Sequence, residues 1–323
     1  MDVIYREEVD RWVTGDRYIR PFVRKMVRRK HLHSSGMQLV VRNFLIGLNR
    51  KKIDYRYNRP FFTLRKSKAV ISFGLGISGV NGLPRATAVI AAIGFPYPGE
   101  LPELCNEYNI RKYLQHSKWV LDFAKSAEIY DNEIFELWPA GIDTTDWKPI
   151  KHGSQKDIDV LIYNKIYWDR DNTNRQLLQP IRDFLNSNNY SFSEIAYGNY
   201  SKEDYQKKLR HAKVMIFLSA HESQGLAYQE CLASNVPVIA WDQGYWLDPT
   251  RFKYNRPFVP ATSVPFFDER CGATFSDLDE FICKFESFFE NSLSGQFNPR
   301  EFVLEHLSIE KSTDRMLDIY NSV

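Results

Sequence analysis

The sequence predicts an α/β protein built from two doubly wound, Rossmann-like domains, and three observations lead to this fold class. The length of 323 residues exceeds the roughly 100–200 residues of a typical single domain. Short β-branched runs alternate with amphipathic stretches, which is typical of βαβ units and parallel sheets. A stretch rich in proline, glycine and short polar residues (136–157) interrupts this alternation near the middle of the chain.

The individual elements follow from hydrophobic periodicity. The predicted strands are KAVISF (68–73), KWVLDF (118–123), DIDVLIY (157–163), KVMIFLS (213–219) and VPVIAW (236–241). Apolar residues recur at helical spacing in two groups: Met37, Val40, Val41, Phe44, Leu45 and Leu48, and then Tyr205, Leu209 and Ala212. Phe285, Phe288 and Phe289 have the i, i+3, i+4 spacing of a buried helix face. We expect these helices to cover both sheets.

The domain boundaries follow from the interrupting stretch, with the linker near 141–155. We predict an N-terminal domain (1–145), a C-terminal domain (146–300) and a final helical segment (301–323) that packs back toward the first domain. In open α/β sheets, ligands bind beyond the carboxyl ends of the strands. We therefore expect the two domains to face a central ligand-binding cleft.

Composition argues against several classes of protein. No run approaches the roughly 18 apolar residues of a membrane span, and the N-terminal residues lack the apolar core of a signal peptide. We therefore expect a cytoplasmic protein. The four cysteines form no C-x-x-C pair, and the 7 histidines form no H-E-x-x-H motif, so we expect reduced thiols and no protein-bound zinc.

Charge is unevenly distributed along the chain. Residues 1–148 carry 24 basic and 16 acidic side chains (net +8), whereas residues 149–323 carry 19 and 24 (net −5). The segment RYIRPFVRKMVRRKHLH (17–33) fits peripheral contact with the anionic inner face of a membrane or with a lipid-diphosphate acceptor. A solvated charged face is the simpler interpretation. The sequence contains no recognisable nucleic-acid-binding motif, so we expect no nucleic-acid partner.

The most informative segment, residues 213–244, has the order strand, loop, helix, strand. Gly225 stands where the loop should turn into the helix, so the amides of Gly225, Leu226 and Ala227 would be unpaired donors. A helix start of this kind attracts phosphate. Glu222 in the loop and Glu230 in the helix can accept hydrogen bonds from the paired hydroxyls of a sugar and of a ribose.

This segment resembles the E-x7-E signature of the family 4 retaining glycosyltransferases, which have the GT-B fold. The match runs from Glu222 through Ser223, Gly225 and Leu226 to Glu230, and continues into Ala233, Pro237, Val238 and Ile239. Weaker similarities to the family cover LWPAGIDTTDWKP (137–149), SSGMQLVVRNFLIGL (34–48) and FNPREFVLEHLSIEKSTDRMLDIY (297–320). The resemblance therefore extends over most of the chain and is strongest in its C-terminal half.

The resemblance implies a retaining, metal-independent glycosyltransferase of polysaccharide or glycolipid synthesis, with a UDP- or GDP-sugar as donor and a glycan or lipid-linked acceptor. It implies that the N-terminal domain (1–145) lies on the acceptor side and that the C-terminal domain (146–300) binds the nucleotide-sugar donor. It also implies that Glu222 contacts the transferred sugar as the catalytic residue and that Glu230 holds the donor ribose. The remaining donor-binding candidates are Ser223, Gln224, Gly225 and Leu226 in the donor loop, Lys165 and Arg170 for the diphosphate, and Gly36 in the N-terminal glycine loop. The sequence departs from the family pattern because it lacks the usual Gly-Arg before the loop and the usual Lys-Gly after it.

Other interpretations remain open. A nucleotide-sugar epimerase of the same fold would need an acid–base pair, which the sequence does not mark. A non-catalytic module would bind nucleotide sugar or a partner without turnover. The run GLGISG (74–79) satisfies a dinucleotide-binding fingerprint, but VNGLP (80–84) disfavours the helix that should follow. His116 is a lone histidine, and lone histidines are usually structural.

Overall fold

Two parallel β-sheets, one in each of two units, form the frame of the protein. The computed structural model describes residues 1–6, 19, 23, 36–74, 79–94, 100–126, 131–150 and 156–323. Contacts divide the chain into a first unit, Met1–Gly141 with Ser312–Val323, and a second unit, Ile142–Lys311. Most of the basic segment 17–33, the interior of GLGISG and part of the predicted linker lie outside the described residues.

The sheet of the first unit has six parallel strands in the order β2-β1-β3-β4-β5-β6. These strands are β1 (Asp2–Arg6), β2 (Arg56–Tyr57), β3 (Ala69–Gly74), β4 (Ala88–Ile93), β5 (Ile110–Gln115) and β6 (Phe135–Leu137). Every residue of β3 is buried, because a strand with helices on both faces has no polar side. The strand predicted at KAVISF is thus confirmed.

Among the described residues up to Gly141, the α-helices of the first unit include α1 (Gly36–Arg50), α2 (Glu100–Glu107) and α3 (Lys118–Ser126). Helix α1 buries the apolar stripe that predicted it, including Val40, Phe44 and Leu48. The described residues after Gly79 form turns that lead into β4, so no helix follows the glycine-rich run there.

The prediction of a strand at KWVLDF (118–123) is wrong, because these residues form helix α3. The helix begins with a hydrogen bond from Leu121 N to Ser117 O (3.0 Å), and Lys118 pairs with Asp122 one turn on (2.6 Å). A short apolar run does not by itself distinguish a strand from a helix. The strand of this region is the more polar IRKYLQ of β5, which immediately precedes the helix.

The sheet of the second unit has five parallel strands in the order β11-β10-β9-β7-β8. These strands are β7 (Ile158–Lys165), β8 (Phe192–Ala196), β9 (Ala212–Ser219), β10 (Val238–Trp241) and β11 (Gly272–Phe275). The three strand predictions in this half are therefore confirmed. Strand β9 lies at the centre and is buried along nearly its whole length.

Helices cover both faces of this second sheet. They are α4 (Arg170–Thr173), which continues through a π-helical turn (Asn174–Leu178) into α5 (Gln179–Ser187), then α6 (Lys202–His211), α7 (Leu226–Ala233), α8 (Leu278–Leu293), α9 (Pro299–His306) and α10 (Ile309–Asn321), which crosses the division between the units. Alternate residues of β7 point to opposite faces, so that Leu161 packs with α6 and α7 whereas Ile162 packs with α5 and α8. The doubly wound fold class is confirmed.

Sequence signals account for the helix positions. Ser201 caps α6 in a reciprocal capping box with Asp204, and Asp277 caps α8 by accepting a hydrogen bond from Glu280 N (2.9 Å). Phe285, Phe288 and Phe289 are buried on α8, as their spacing predicted. No helix among the described residues combines the length and the apolar character that a membrane span requires.

The strand order of the second sheet reverses at β7. The chain passes from β7 to β8 on one side and then returns to β9 on the other side of β7. Lys165 and Ser219, the last residues of β7 and β9, are register partners. In open α/β sheets the crevice beyond such a reversal is the usual ligand site. Residues at these two strand ends are therefore the first candidates for function.

Candidate functional site

A salt bridge between Lys165 and Glu222 lies at this reversal point. Lys165 ends β7, and Glu222 follows β9 by three residues. The Nζ atom of Lys165 is 2.7 Å from Oε1 of Glu222 and 2.9 Å from Oε2. The hydroxyl of Ser219 also donates to Oε1 (2.8 Å), and the amide of Glu222 donates to Thr262 O (3.0 Å). The carboxylate is therefore held by partners on two neighbouring strands.

Burial strengthens the electrostatic attraction between Lys165 and Glu222. Glu222 is only 8 % exposed. Burial lowers the pKa of Lys165, but the charge and hydrogen bond of Glu222, with smaller contributions from Tyr197 and Tyr167, outweigh it, so the pKa is raised overall. Lys165 is thus a permanent cation at neutral pH. Removing either partner would leave the other charge poorly compensated.

Gly225 starts helix α7 in a conformation that suits glycine. Its φ of +78° lies in the left-handed region, and a Cβ atom there would lie 2.1 Å from Cε1 of Tyr228. Tyr228 has little room to retreat, because it is fully buried and its hydroxyl accepts a hydrogen bond from Phe266 N (3.0 Å). A side chain at position 225 would therefore strain the backbone and collide with the ring.

The first turn of α7 offers hydrogen-bond donors. Within the part of the chain that the structure describes, the amides of Gly225, Leu226 and Ala227 have no acceptor. The first amides of a helix lack partners inside the helix and lie at the positive end of its dipole. These three donors follow closely after Glu222 in the chain and suit a phosphate group.

The loop that carries Glu222 is fixed from within. The buried side chain of Gln224 donates to Oε1 of Gln229 (2.8 Å), and Nε2 of Gln229 donates back to the carbonyl oxygen of Gln224 (2.6 Å). Gln224 therefore fastens the loop to α7. Ser223 is exposed, and Leu226 packs against the core beside α7.

Glu230 is a buried carboxyl group on α7. It is 9 % exposed, and its side chain makes no hydrogen bond or ion pair with the described residues. Burial raises its pKa to about 8; Lys202 opposes the rise and Asp146 adds to it. Because this buried and mainly protonated carboxyl group makes no direct contact of that kind, its oxygens are suited to hydrogen bonds with a hydroxyl-bearing ligand.

Glu222 and Glu230 both act electrostatically on the same two tyrosine side chains, Tyr163 and Tyr200. The hydroxyls of Tyr163 and Tyr200 lie 2.7 Å apart. Burial raises the pKa of both tyrosines, and the charges of Glu222 and Glu230 raise it further. Two carboxyl groups eight residues apart in the chain thus act on the same hydroxyl pair.

The remaining predicted residues, Arg170 and Gly36, make no side-chain hydrogen bond or ion pair with Lys165 or Glu222. Arg170 is the exposed first residue of α4, and its guanidinium makes no hydrogen bond or ion pair with the residues that the structure describes. Gly36 belongs to the first unit, where it is the exposed first residue of α1. The structure therefore pairs Lys165 with Glu222, three residues before Gly225 at the start of α7, while the role of Arg170 and Gly36 in donor binding stays a prediction.

Two exposed tyrosines beside Lys165 were missed by the sequence reasoning. Tyr167 and Tyr197 follow the neighbouring strands β7 and β8, and their ring centroids lie 6.2 Å apart. The Nζ atom of Lys165 lies 4.6 Å from the centroid of the Tyr197 ring. The only available signal was that each tyrosine follows a strand end. Their rings offer a planar surface for stacking.

The lone histidine, the possible metal ligands and the cysteines that the sequence offered do not form a further site among the described residues. His116 is bonded through Nδ1 to the carbonyl oxygen of Trp138 (3.2 Å), and burial lowers its pKa. Among the described residues, no group of three His, Cys, Asp or Glu side chains could hold a metal ion. The four cysteines are free thiols.

Comparisons with known proteins bear on the fold. No family model matches the chain, and no curated protein matches its sequence. Solved structures with a similar fold include a sucrose-phosphate synthase from Thermosynechococcus elongatus (TM-score 0.57, 12 % identity, 99 % of this chain and 98 % of that one). They also include the lipopolysaccharide outer core galactosyltransferase WaaB (0.52, 10 % identity, 100 % of both chains).

A third similar structure is that of Anabaena HepE in complex with UDP and glucose (TM-score 0.50, 9 % identity, 100 % of both chains). At these identities the likeness is one of fold. The chain therefore has the GT-B fold, with two Rossmann-like α/β domains, as the sequence predicted.

Proposed function

We propose that this protein is a glycosyltransferase that moves a sugar from a nucleoside-diphosphate donor to a hydroxyl acceptor, with retention of anomeric configuration. The observation that carries the proposal is the assembly of the Lys165–Glu222 pair beside the start of α7, at the reversal point of a parallel sheet. We assign donor binding to the second unit and acceptor binding to the first.

The diphosphate is the part of the donor that this arrangement suits best. Lys165 supplies a fixed cation, and the amides of Gly225, Leu226 and Ala227 supply neutral donors. Both kinds of group stabilise the negative charge that develops when a sugar–phosphate bond breaks. Because the protein holds them in position beforehand, little reorganisation is needed during the reaction.

The two carboxyl groups suit the hydroxyls of the donor. Glu222, already fixed by Ser219, would accept hydrogen bonds from the transferred sugar, and Glu230 would accept them from the ribose. Neither group is proposed as a covalent nucleophile. The acceptor hydroxyl attacks the anomeric carbon, the bond to the diphosphate breaks, and a departing phosphate oxygen takes the acceptor proton.

A UDP-sugar donor and a glycan or glycolipid acceptor are the first candidates. HepE was solved with UDP and glucose, and WaaB is a lipopolysaccharide galactosyltransferase. The exposed rings of Tyr167 and Tyr197 lie beside Lys165, where a planar base could stack. A GDP-sugar remains the alternative donor.

The test is to incubate the purified chain with UDP-, GDP- and ADP-sugars and to measure released nucleotide, with and without acceptor extract. We expect one donor to be consumed and the sugar to appear on the acceptor with its anomeric configuration retained, which NMR of the product checks. Conversion of the donor into an epimer would instead support an epimerase. Donor binding without any turnover would support a non-catalytic module and overturn the proposal.

A further inference from the structure

A loop between β10 and β11 folds back on itself as a hairpin, which we define as residues 245–260. Tyr245 and Pro260 form an antiparallel bridge, and Trp246 N donates to Val259 O (2.8 Å). Between them, Pro249–Tyr254 form a 3₁₀ turn. The hairpin is therefore a folded element with a defined tip.

Arg251 fixes the interior of this hairpin. Its guanidinium donates to the carbonyl oxygens of Leu247 (2.5 Å), Asp248 (3.0 Å) and Pro257 (3.2 Å). These hydrogen bonds join the beginning of the turn to the returning arm of the hairpin at Pro257. The side chains at the tip are thus presented on a braced backbone, which lowers the entropy that the tip would lose on binding a partner.

The hairpin exposes aromatic and cationic side chains, with Phe252 in its turn and Phe258 near its base, where the Phe258 ring centroid lies 6.0 Å from that of Tyr245. Phe252 is 55 % exposed and Phe258 is 63 % exposed. Lys253 and Arg256 lie between them in the chain and are also exposed. No acidic residue occurs in the stretch FKYNRPF (252–258). Two large apolar rings in contact with water are unfavourable, whereas their transfer into a less polar medium is favourable.

The charge of the hairpin indicates the sign of its partner. It carries Arg251, Lys253 and Arg256 against the single acid Asp248, a net charge of +2, in the half of the chain (149–323) whose net charge is −5. The hairpin is thus a cationic segment within an acidic half of the sequence. Exposed phenylalanines flanked by cations are the combination that binds an anionic lipid–water interface, with rings among the upper acyl chains and cations at the phosphates.

We propose that the 245–260 hairpin docks this protein on an anionic membrane surface, with Phe252 and Phe258 entering the interface and Lys253 and Arg256 lying at the lipid phosphates. The hairpin is separate in sequence from the basic segment 17–33 and contains none of the predicted donor-binding residues. Two residues after the hairpin, the carbonyl oxygen of Thr262 accepts a hydrogen bond from the backbone amide of Glu222 (3.0 Å). Docking through the hairpin would therefore hold the Glu222 loop close to the lipid surface.

The first experiment is co-sedimentation of the full chain with phosphatidylcholine vesicles, with or without phosphatidylglycerol. We expect binding only to the anionic vesicles, and a loss of about tenfold in the partition coefficient for Phe252→Ser/Phe258→Ser, since two half-exposed rings lose their burial. Lys253→Gln/Arg256→Gln should lose binding to anionic vesicles to a similar extent. The control is Phe62→Ser, an exposed phenylalanine (75 %) of the first unit, which should bind like the unmodified protein.

The second experiment tests whether the hairpin itself, and no other part of the protein, contacts the vesicle. Phe252→Trp adds one indole at the tip, and Phe62→Trp adds one at the control position. We expect anionic vesicles to shift the added emission of the first variant to shorter wavelength and to leave that of the second unchanged. Absence of vesicle binding, unchanged binding of the Phe252→Ser/Phe258→Ser protein, or an unshifted indole emission from a Phe252→Trp protein that co-sediments would each overturn the proposal. Circular dichroism confirms that the variants are folded.

Discussion

The Nζ atom of Lys165 lies 2.7 Å from Oε1 of Glu222, although the two residues are 57 positions apart in the chain. The parallel register of β7 and β9 creates this contact, because Lys165 pairs with Ser219 at the last position of both strands. The contact places a cation and an acid at the strand-order reversal. The predictions below test what each neighbouring group contributes.

Glu222→Gln should reduce the rate of sugar transfer by about 100-fold at saturating donor, because a neutral amide neither balances Lys165 nor accepts hydrogen bonds as a carboxylate does. Initial rates of nucleotide release measure this. Glu194→Gln is the matched control, since Glu194 is also a paired carboxylate near a strand end, bound to Arg182 at 2.6 Å. Equal rates for the two variants would show that Glu222 makes no specific contribution to sugar transfer.

Lys165→Gln should weaken the affinity for UDP by about tenfold or more, since a hydrogen bond from a charged donor contributes roughly 1.5–3 kcal/mol. Arg170→Gln should change it by much less, because Arg170 is exposed and makes no hydrogen bond or ion pair with Glu222 that would fix it at the site. Isothermal titration calorimetry on both variants makes the comparison. A loss for Arg170→Gln as large as that for Lys165→Gln would place Arg170 at the diphosphate as well.

Gly225→Ala should destabilise the fold by about 3 kcal/mol, which combines left-handed strain with overpacking against Tyr228. Gly198→Ala isolates the first contribution, because Gly198 has nearly the same φ (+77°) and open space around it. We expect that control to lose about 1 kcal/mol. Urea denaturation measures both values, and equal losses would show that Tyr228 moves aside at no cost.

Glu230 should make stability depend on pH. Burial raises its folded-state pKa from an ordinary value of 4.5 to about 8, so between these values the folded state holds a proton that the unfolded state has released. The free energy of unfolding then falls as pH rises through this window, by at most about 1.4 kcal/mol per pH unit, and levels off above it.

Glu230→Gln removes this titration. The stability of the variant relative to the unmodified protein should therefore increase from the lower to the upper end of the window. Urea denaturation at several pH values measures the difference. A difference that does not change with pH would show that Glu230 is ionised in the folded state throughout.

Much of the second unit could be predicted because its signals are local. Strand β9, the loop with Glu222 and Gly225, helix α7 and strand β10 follow one another within residues 213–244, each with its own pattern. A buried central strand needs a continuous apolar run, and a helix that starts from a left-handed residue favours glycine. These requirements are visible in a single sequence.

Other features depend on contacts that a single sequence does not show. The register that joins Lys165 to Glu222 is set by the pairing of Lys165 with Ser219, two residues that are far apart in the chain. The partial π geometry at Asn174–Leu178 and the position of Tyr197 beside Lys165 likewise arise from packing. At KWVLDF the apolar run was compatible with either structure, and packing decided for the helix.

The central claim is that a nucleoside diphosphate binds where the Glu222 loop enters helix α7, and a crystal structure of the protein with UDP tests it most directly. We expect the diphosphate within hydrogen-bonding distance of the amides of Gly225 and Leu226 and of Lys165, with the ribose hydroxyls at Glu230. A diphosphate bound elsewhere, or none at saturating UDP, would contradict the claim.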